Sequence, residues 1–306
     1  MADYYTITNK DEIHNGYKYK DGLNILEEFN ENINDDCCKG GFYFTTAEYI
    51  HELYEFGENL RVVELPLDNP NFKMVELNKK FKANMIILKE KYNFNNLNDF
   101  KKIYYININY NYNICNIEIL EWLKNINYSF NSEKIIKNSS KNGYVNVLEW
   151  FKNNNYKFKY NAWTIKEAAE NGHVDVLEWF KNSGYKFTYN EYAIFHASQN
   201  GHVHVLEWFK NSGYEFKYDK NAINYASMNG HIHILEWFKN SGLEFKYSED
   251  AIMRASLNGH INVLEWFKNN MNYTFYYNLN NKNLNKITIE WLKINGVEFI
   301  DNPLIL

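Results

Sequence analysis

The stretch Asn200-Gly201-His202-Val203-His204-Val205-Leu206-Glu207-Trp208-Phe209-Lys210-Asn211 decides the fold, because it recurs. Near-copies of the form Asn-Gly-(His/Tyr)-x-x-(Val/Ile)-Leu-Glu-Trp-Phe-Lys-Asn begin at Asn142, Asn171, Asn200, Asn229 and Asn258, 29 residues apart each time (171 − 142 and so on). Trp150, Trp179, Trp208, Trp237 and Trp266 mark one position in the five copies, and weaker versions stand on either side at Ile119–Lys124 and Thr288–Lys293. A fixed period of this length is the signature of a stacked repeat array.

Each unit reads as two short helices. Ala193, Ile194, Ala197 and Ser198 follow the i, i+3, i+4 spacing of one helical face. Gly201 then sits where a helix C-terminus needs a left-handed residue. The second helix carries Val205, Leu206, Trp208 and Phe209, with Glu207 and Lys210 expected on the solvent side, and Ser212-Gly213 stops it. Helices this short are marginal alone, so each pair must bury its apolar face on the next, which makes a solenoid. Ala197-Ser198, Ala226-Ser227 and Ala255-Ser256 are small where helices approach, and the Trp and Phe residues are expected to fill the space between layers.

His202, His204, His231 and His233, with His173 and His260 in register, resemble a metal motif only superficially. Residues i and i+2 of a helix point about 200° apart, neighbouring units lie about 8–10 Å apart, and zinc needs nitrogens within about 2.1 Å. These histidines are expected to stabilise the start of the second helix, and no metal or other cofactor is expected.

Residues 1–95 have a different texture. Tyr4–Thr8, Gly41–Phe44, Leu60–Leu67 and Phe72–Leu77 read as strands. Thr45-Thr46-Ala47-Glu48 reads as a capping box for a helix to about Phe56, with Phe44 and Tyr49 as its staple. Pro66 and Pro70 bracket a turn. The predicted organisation is a small α+β domain over 1–95 followed by an α-helical repeat solenoid over 96–306, with clear units at 132–273 and degenerate ones at 104–131 and 274–302.

Composition narrows the function classes. The chain is 45% hydrophobic and 23% charged with a net charge of −5, so it is globular and lacks the basic footprint of a nucleic-acid binder. The polar start Met1-Ala2-Asp3-Tyr4-Tyr5 and the absence of an apolar run of about 18 residues predict a cytoplasmic protein with no membrane partner. Cys37, Cys38 and Cys115 are too few for a disulfide framework. His14, His51, Asp35 and Asp36 form no acid–base or triad spacing, and Gly40-Gly41 is a weak phosphate-loop signal.

The repeats resemble ankyrin repeats, whose usual period is about 33 residues. Ile194, Ala197, Ser198, Gly201, His202, Val205, Leu206 and Gly213 fall on matching family positions. The family's Thr-Pro pair is replaced by Tyr192-Ala193, Asn221-Ala222 and Asp250-Ala251, and its His by Phe195, Asn224 or Met253. The link from Gly213 to Asn221 lacks the turn that tips a β-hairpin finger, so short loops such as Glu215-Phe216-Lys217-Tyr218 are expected. In repeat wording and in its AT-rich-codon composition the chain is similar to ankyrin repeat proteins encoded by giant DNA viruses of amoebae. The leader, including Tyr19-Lys20-Asp21-Gly22-Leu23-Asn24 and Cys37-Cys38-Lys39-Gly40-Gly41-Phe42-Tyr43-Phe44, shares the likeness.

That resemblance implies a non-enzymatic scaffold, a monomer, whose first helices line a concave face that binds a protein, in a viral setting a host protein. The positions where the repeats disagree are then the candidate contacts. They are Lys166, Glu167 and Glu170, then Phe195, His196 and Gln199, then Asn224, Tyr225 and Met228, then Met253, Arg254 and Leu257. Such a mixture of Tyr, Phe, Met and Arg is enriched at interface cores. Two other readings are a ubiquitin-ligase adaptor, against which the strand-rich leader argues, and a catalytic leader with a pocket around His14, Cys37 and Gly41.

Overall fold

A computed structural model describes residues 3–31, 40–105, 114–271 and 285–295. The chain forms two compact units, Met1–Phe130 and Asn131–Leu306. Cys37, Cys38, Asp35, Asp36 and most of the stretch 274–302 lie outside the described residues.

The first unit is built on strands β1 (Tyr4–Thr8), β2 (Ile13–His14), β3 (Tyr17–Lys18), β4 (Gly22–Ile25), β5 (Phe42–Thr46), β6 (Asn59–Glu64), β7 (Met74–Leu77), β8 (Lys80–Ala83) and β9 (Met85–Asn93). Seven of them make one sheet in the order β4-β9-β6-β1-β5-β8-β7, with β2 and β3 as a separate hairpin. Every pairing between neighbouring strands is antiparallel. Alternation along the strands supplies two apolar faces. Tyr5, Ile7 and Leu60 pack with Ile50 and Leu53 of the helical segment Ala47–Phe56 and with Ile103 of α1 (Leu97–Tyr105). Phe42, Phe44, Val63, Ile86 and Leu88 pack with Tyr19. Helix α2 (Ile117–Asn125) closes the described part of this unit, with Ile119, Leu120 and Leu123 buried.

The predicted strand β1 has the expected limits, and β5, β6 and β7 are shifted or shortened versions of the other three. The capping box is not formed. Thr45 belongs to β5 and its hydroxyl donates to the Lys79 carbonyl. Thr46 occupies the N-cap without a side-chain bond, and the segment that follows is a 3-10 helix.

The second unit is a row of helix pairs: α3 (Ser132–Lys141) with α4 (Val145–Asn153), α5 (Ala162–Glu170) with α6 (Val174–Asn182), α7 (Glu191–Gln199) with α8 (Val203–Asn211), α9 (Lys220–Met228) with α10 (Ile232–Asn240), and α11 (Glu249–Asn258) with α12 (Ile261–Met271). Helix α13 (Lys286–Ile294) follows. First helices pack closely on first helices, because Ala193, Ala197, Ala222, Ala226, Ala251 and Ala255 are fully buried between them. Buried Ser198, Ser227 and Ser256 avoid a desolvation penalty by donating to the carbonyls of Ile194, Ile223 and Ile252 in their own helices.

The aromatic ladder divides into two parts. Phe151, Phe180, Phe209, Phe238 and Phe267 have no exposed surface, whereas Trp179, Trp208 and Trp237 are half-buried. Each of those three indoles donates its Nε1–H, at 2.7 Å, to a glutamate of the preceding repeat: Glu149, Glu178 and Glu207 respectively. Glu207 is therefore exposed, as expected, but it also joins two repeats. The short loops add a second set of ties. They contain no strand, and Tyr160, Tyr189 and Tyr218 donate to the Lys186, Glu215 and Glu244 carbonyls of the following loops.

The histidines also act between repeats rather than on their own helix. His173, His202 and His231 occupy N-cap positions but make no side-chain cap bond. His202 Nε2 instead lies 3.0 Å from the Glu170 carbonyl, and His204 and His233 reach the carbonyls of Gly172 and Gly201 at 2.9 and 3.0 Å. Asn200 and Asn229 donate to the Glu170 and Gln199 carbonyls at 2.7 Å. Gly201, at φ +76°, is needed twice: for the left-handed turn and because a Cβ there would stand 3.1 Å from His231 Nδ1. Since His202 lies before its helix and His204 within it, the rings are 5.5 Å apart rather than on opposite sides. Among the described residues no group of three His, Cys, Asp or Glu side chains could hold a metal ion.

Burial pushes His202 and His231 below the ordinary value of 6.5, and the His233 ring adds to the effect on His231. The folded chain then binds these protons less readily than the unfolded chain. The stability they contribute is complete above about pH 6.5 and is lost as pH falls from there through their folded values. The urea midpoint should fall between about pH 7 and pH 5, and should fall less in His202→Asn/His231→Asn. An equal fall in that variant would rule out these two histidines as its source; Glu178 and Glu207, both held low by indole hydrogen bonds, lose their contribution only below about pH 5.

Candidate partner-binding face

The twelve variable positions lie in three registers along α5, α7, α9 and α11, so equivalent side chains stand side by side on adjacent helices. The α5 end is ionic. Lys166 pairs with Glu170 and lies 3.5 Å from Glu167, which also faces Lys137 at 3.3 Å. His196 Nδ1 is 3.7 Å from Glu170. Burial pushes His196 down, and the Glu170 carboxylate opposes that shift.

Further along, the face becomes aromatic. Phe195 meets Tyr225 edge-on at 4.8 Å, and the Arg254 guanidinium lies 4.8 Å above the Tyr225 ring. Arg254 also reaches Met228 Sδ at 3.8 Å. Met253 is exposed; Gln199, Met228 and Leu257 are half-buried. Asn224 is 1% exposed. Its amide donates to Ser248 Oγ at 2.7 Å and accepts from the Ser248 backbone at 3.1 Å, so it ties α9 to the start of α11 and is not offered to a partner.

Two surface residues were absent from the expected set. Trp163 and Tyr192, 51% and 42% exposed, stack at 5.6 Å with an interplanar angle of 16°. Tyr192 continues to Phe195 at 6.4 Å, so a chain of rings runs from α5 to α9. The available signal was an aromatic in Trp163 and Tyr192, one 29-residue step apart (192 − 163), at the place where the repeat wording has a small polar residue.

Elsewhere the geometry is less suggestive. A groove of about 370 Å³ beside α4 and α6 contains Glu149 and Trp179, already bonded to each other. In the first unit a cavity of about 130 Å³ is lined by His14, Tyr17, Tyr19, Gly40, Gly41 and Phe42. Burial pushes His14 down and Tyr19 up. Its described lining has no carboxylate or thiol to work with that histidine. Cys115 donates to Asn95 Oδ1 at 3.0 Å. No described helix is long and apolar enough to cross a membrane.

Paired short helices, left-handed glycines at the turns and lateral ties between neighbours define a helical-repeat scaffold. The chain belongs to the ankyrin repeat family. A family model for ankyrin repeats, three copies, matches residues 165–246 and 194–281. A protein of Acanthamoeba polyphaga mimivirus named as an ankyrin repeat protein is 52% identical over 88 residues, which cover 28% of this chain and 44% of that one. An uncharacterized protein of the same virus is 50% identical over 100 residues, 32% of this chain and 72% of its own. Another, also named as an ankyrin repeat protein, is 38% identical over 110 residues, 35% and 33% of the two chains. The matches thus span less than half the length of the first and third of these relatives. Ankyrin repeats are protein–protein interaction modules, and the family is generally non-catalytic.

Proposed function

We propose that the chain binds a host protein along the first-helix face of its repeats, as a monomeric scaffold working in the host cytoplasm and without chemistry of its own. The observation that carries this reading is the ring series Trp163–Tyr192–Phe195–Tyr225, exposed at Trp163 and Tyr192 and half-buried at Phe195 and Tyr225, which lies at variable positions while the buried positions repeat. Large rigid side chains held by their neighbours lose little freedom on contact, which is why aromatics and Arg dominate binding hot spots.

The test is an affinity capture from amoebal lysate, with quantitative mass spectrometry, comparing wild type and Phe195→Ala/Tyr225→Ala/Arg254→Ala. A specific partner should be depleted roughly 10-fold or more, since two or three hot-spot truncations cost about 2 kcal/mol each. Unchanged helicity would show that the variant is folded. A partner held equally by the variant but lost on disrupting the N-terminal sheet would move the function to that unit.

A further inference from the structure

The twelve face positions carry two permanent cations, and their surroundings differ. Lys166 is neutralised by Glu167 and Glu170. Arg254 has no carboxylate among the described residues. Its guanidinium rests on the Tyr225 ring, Nη1 reaches only the weak acceptor Met228 Sδ among the described residues, and its Nε is buried with no acceptor there. Burying a guanidinium N–H without a partner is costly, and stacking on a ring orients the guanidinium plane while leaving in-plane donors for a fork-shaped acceptor.

Resting on the first-helix reading above, we propose that Arg254 anchors an Asp or Glu side chain of the bound protein, in an extended segment that also places an apolar or aromatic residue on the Trp163–Tyr192–Phe195 rings. Adjacent first helices are separated by about 8–10 Å, so α7 and α11 are about 16–20 Å apart. An extended chain rises about 3.3–3.6 Å per residue, which sets the acid about five or six residues from the apolar residue. A singly charged carboxylate suits one unpaired guanidinium, whereas phosphorylated segments are gathered by clusters of arginines.

Random dodecapeptides displayed on phage, selected on the immobilised full chain, test this. Enriched peptides should share an Asp or Glu about five or six residues from an aromatic or branched aliphatic residue. A fluorescein-labelled synthetic copy should bind Arg254→Gln roughly 10- to 100-fold more weakly than wild type, with Arg254→Lys in between. Replacing the peptide's acid by its amide should weaken wild-type binding equally and leave Arg254→Gln unaffected. That peptide-side change carries the test if the Arg254 variant does not fold. No enrichment, or binding indifferent to the acid, overturns the anchor. If such acid-indifferent peptides still lose binding in Phe195→Ala/Tyr225→Ala, the first-helix face stands without it; if they do not, both readings fall.

Discussion

Phe209→Ala should lower the stability of the repeat unit by about 3–5 kcal/mol, whereas Trp208→Ala, the neighbouring change, should cost about 1–2 kcal/mol. Phe209 has no exposed surface, and the Tyr189 ring from the preceding loop lies 4.6 Å from it, with Phe187 at 6.3 Å. Removing the ring leaves a void under a loop whose Tyr189 hydroxyl is tied to the next loop, so the site cannot easily collapse. Trp208 is half-buried, and its loss removes ring contacts to Phe187 and Phe209, the Lys181 ammonium over its face and the bond to Glu178. Stability in a solenoid is carried by nearest-neighbour interfaces. A defect in the middle pair should therefore also broaden urea unfolding into two steps, seen by circular dichroism. A Trp208→Ala loss equal to or larger than that of Phe209→Ala would sink the division of the ladder into a Phe core and a Trp–Glu seam.

That division explains what sequence alone could and could not disclose. The period, the turn glycines and the small residues of the first helices are local features, and each predicts its place: Ala193, Ile194, Ala197 and Ser198 are all buried on one helix face. Trp208 and Phe209 are adjacent and both apolar, so period alone makes them one stripe. Only the partner in the preceding repeat, 30 residues back (208 − 178), separates the indole from the phenyl ring. The histidines were misassigned for the same reason, since their acceptors lie on another repeat. In the first unit, β9 was missed because Met85-Ile86-Ile87-Leu88 runs on into Lys89-Glu90-Lys91, which does not alternate. It is nevertheless paired on both sides, by β4 and β6. Within the candidate face, Asn224 shows the limit most plainly: a variable polar residue reads as surface, but its neighbour Ser248 makes it internal.

Gly57→Ala should damage the first unit more than any single surface change, by on the order of 3–5 kcal/mol. Gly57 follows the 3-10 helix and precedes β6, at φ +155° and ψ −159°. That backbone region is open in practice to glycine alone. A Cβ built there would lie 2.2 Å from the Thr8 carbonyl oxygen and 2.4 Å from Asn9 Cα. Both are backbone atoms at the end of β1, where Thr8 pairs with Asn59 in the middle of the sheet. No rotamer change can relieve the contact, so either β1 and β6 part at this end or the 3-10 helix lifts from Ile7 and Leu60. Hydrogen exchange should show the amides of β1 and β6 losing protection while α7 to α10 keep theirs, because those helices have their own core. Gly16→Ala is the matched control. Gly16 has φ +80° but nothing within 4 Å of a built Cβ, so it should show only the backbone penalty of about 1–2 kcal/mol. If the two variants melted together, backbone conformation alone would account for Gly57, and the close approach of Thr8 and Asn9 would add nothing.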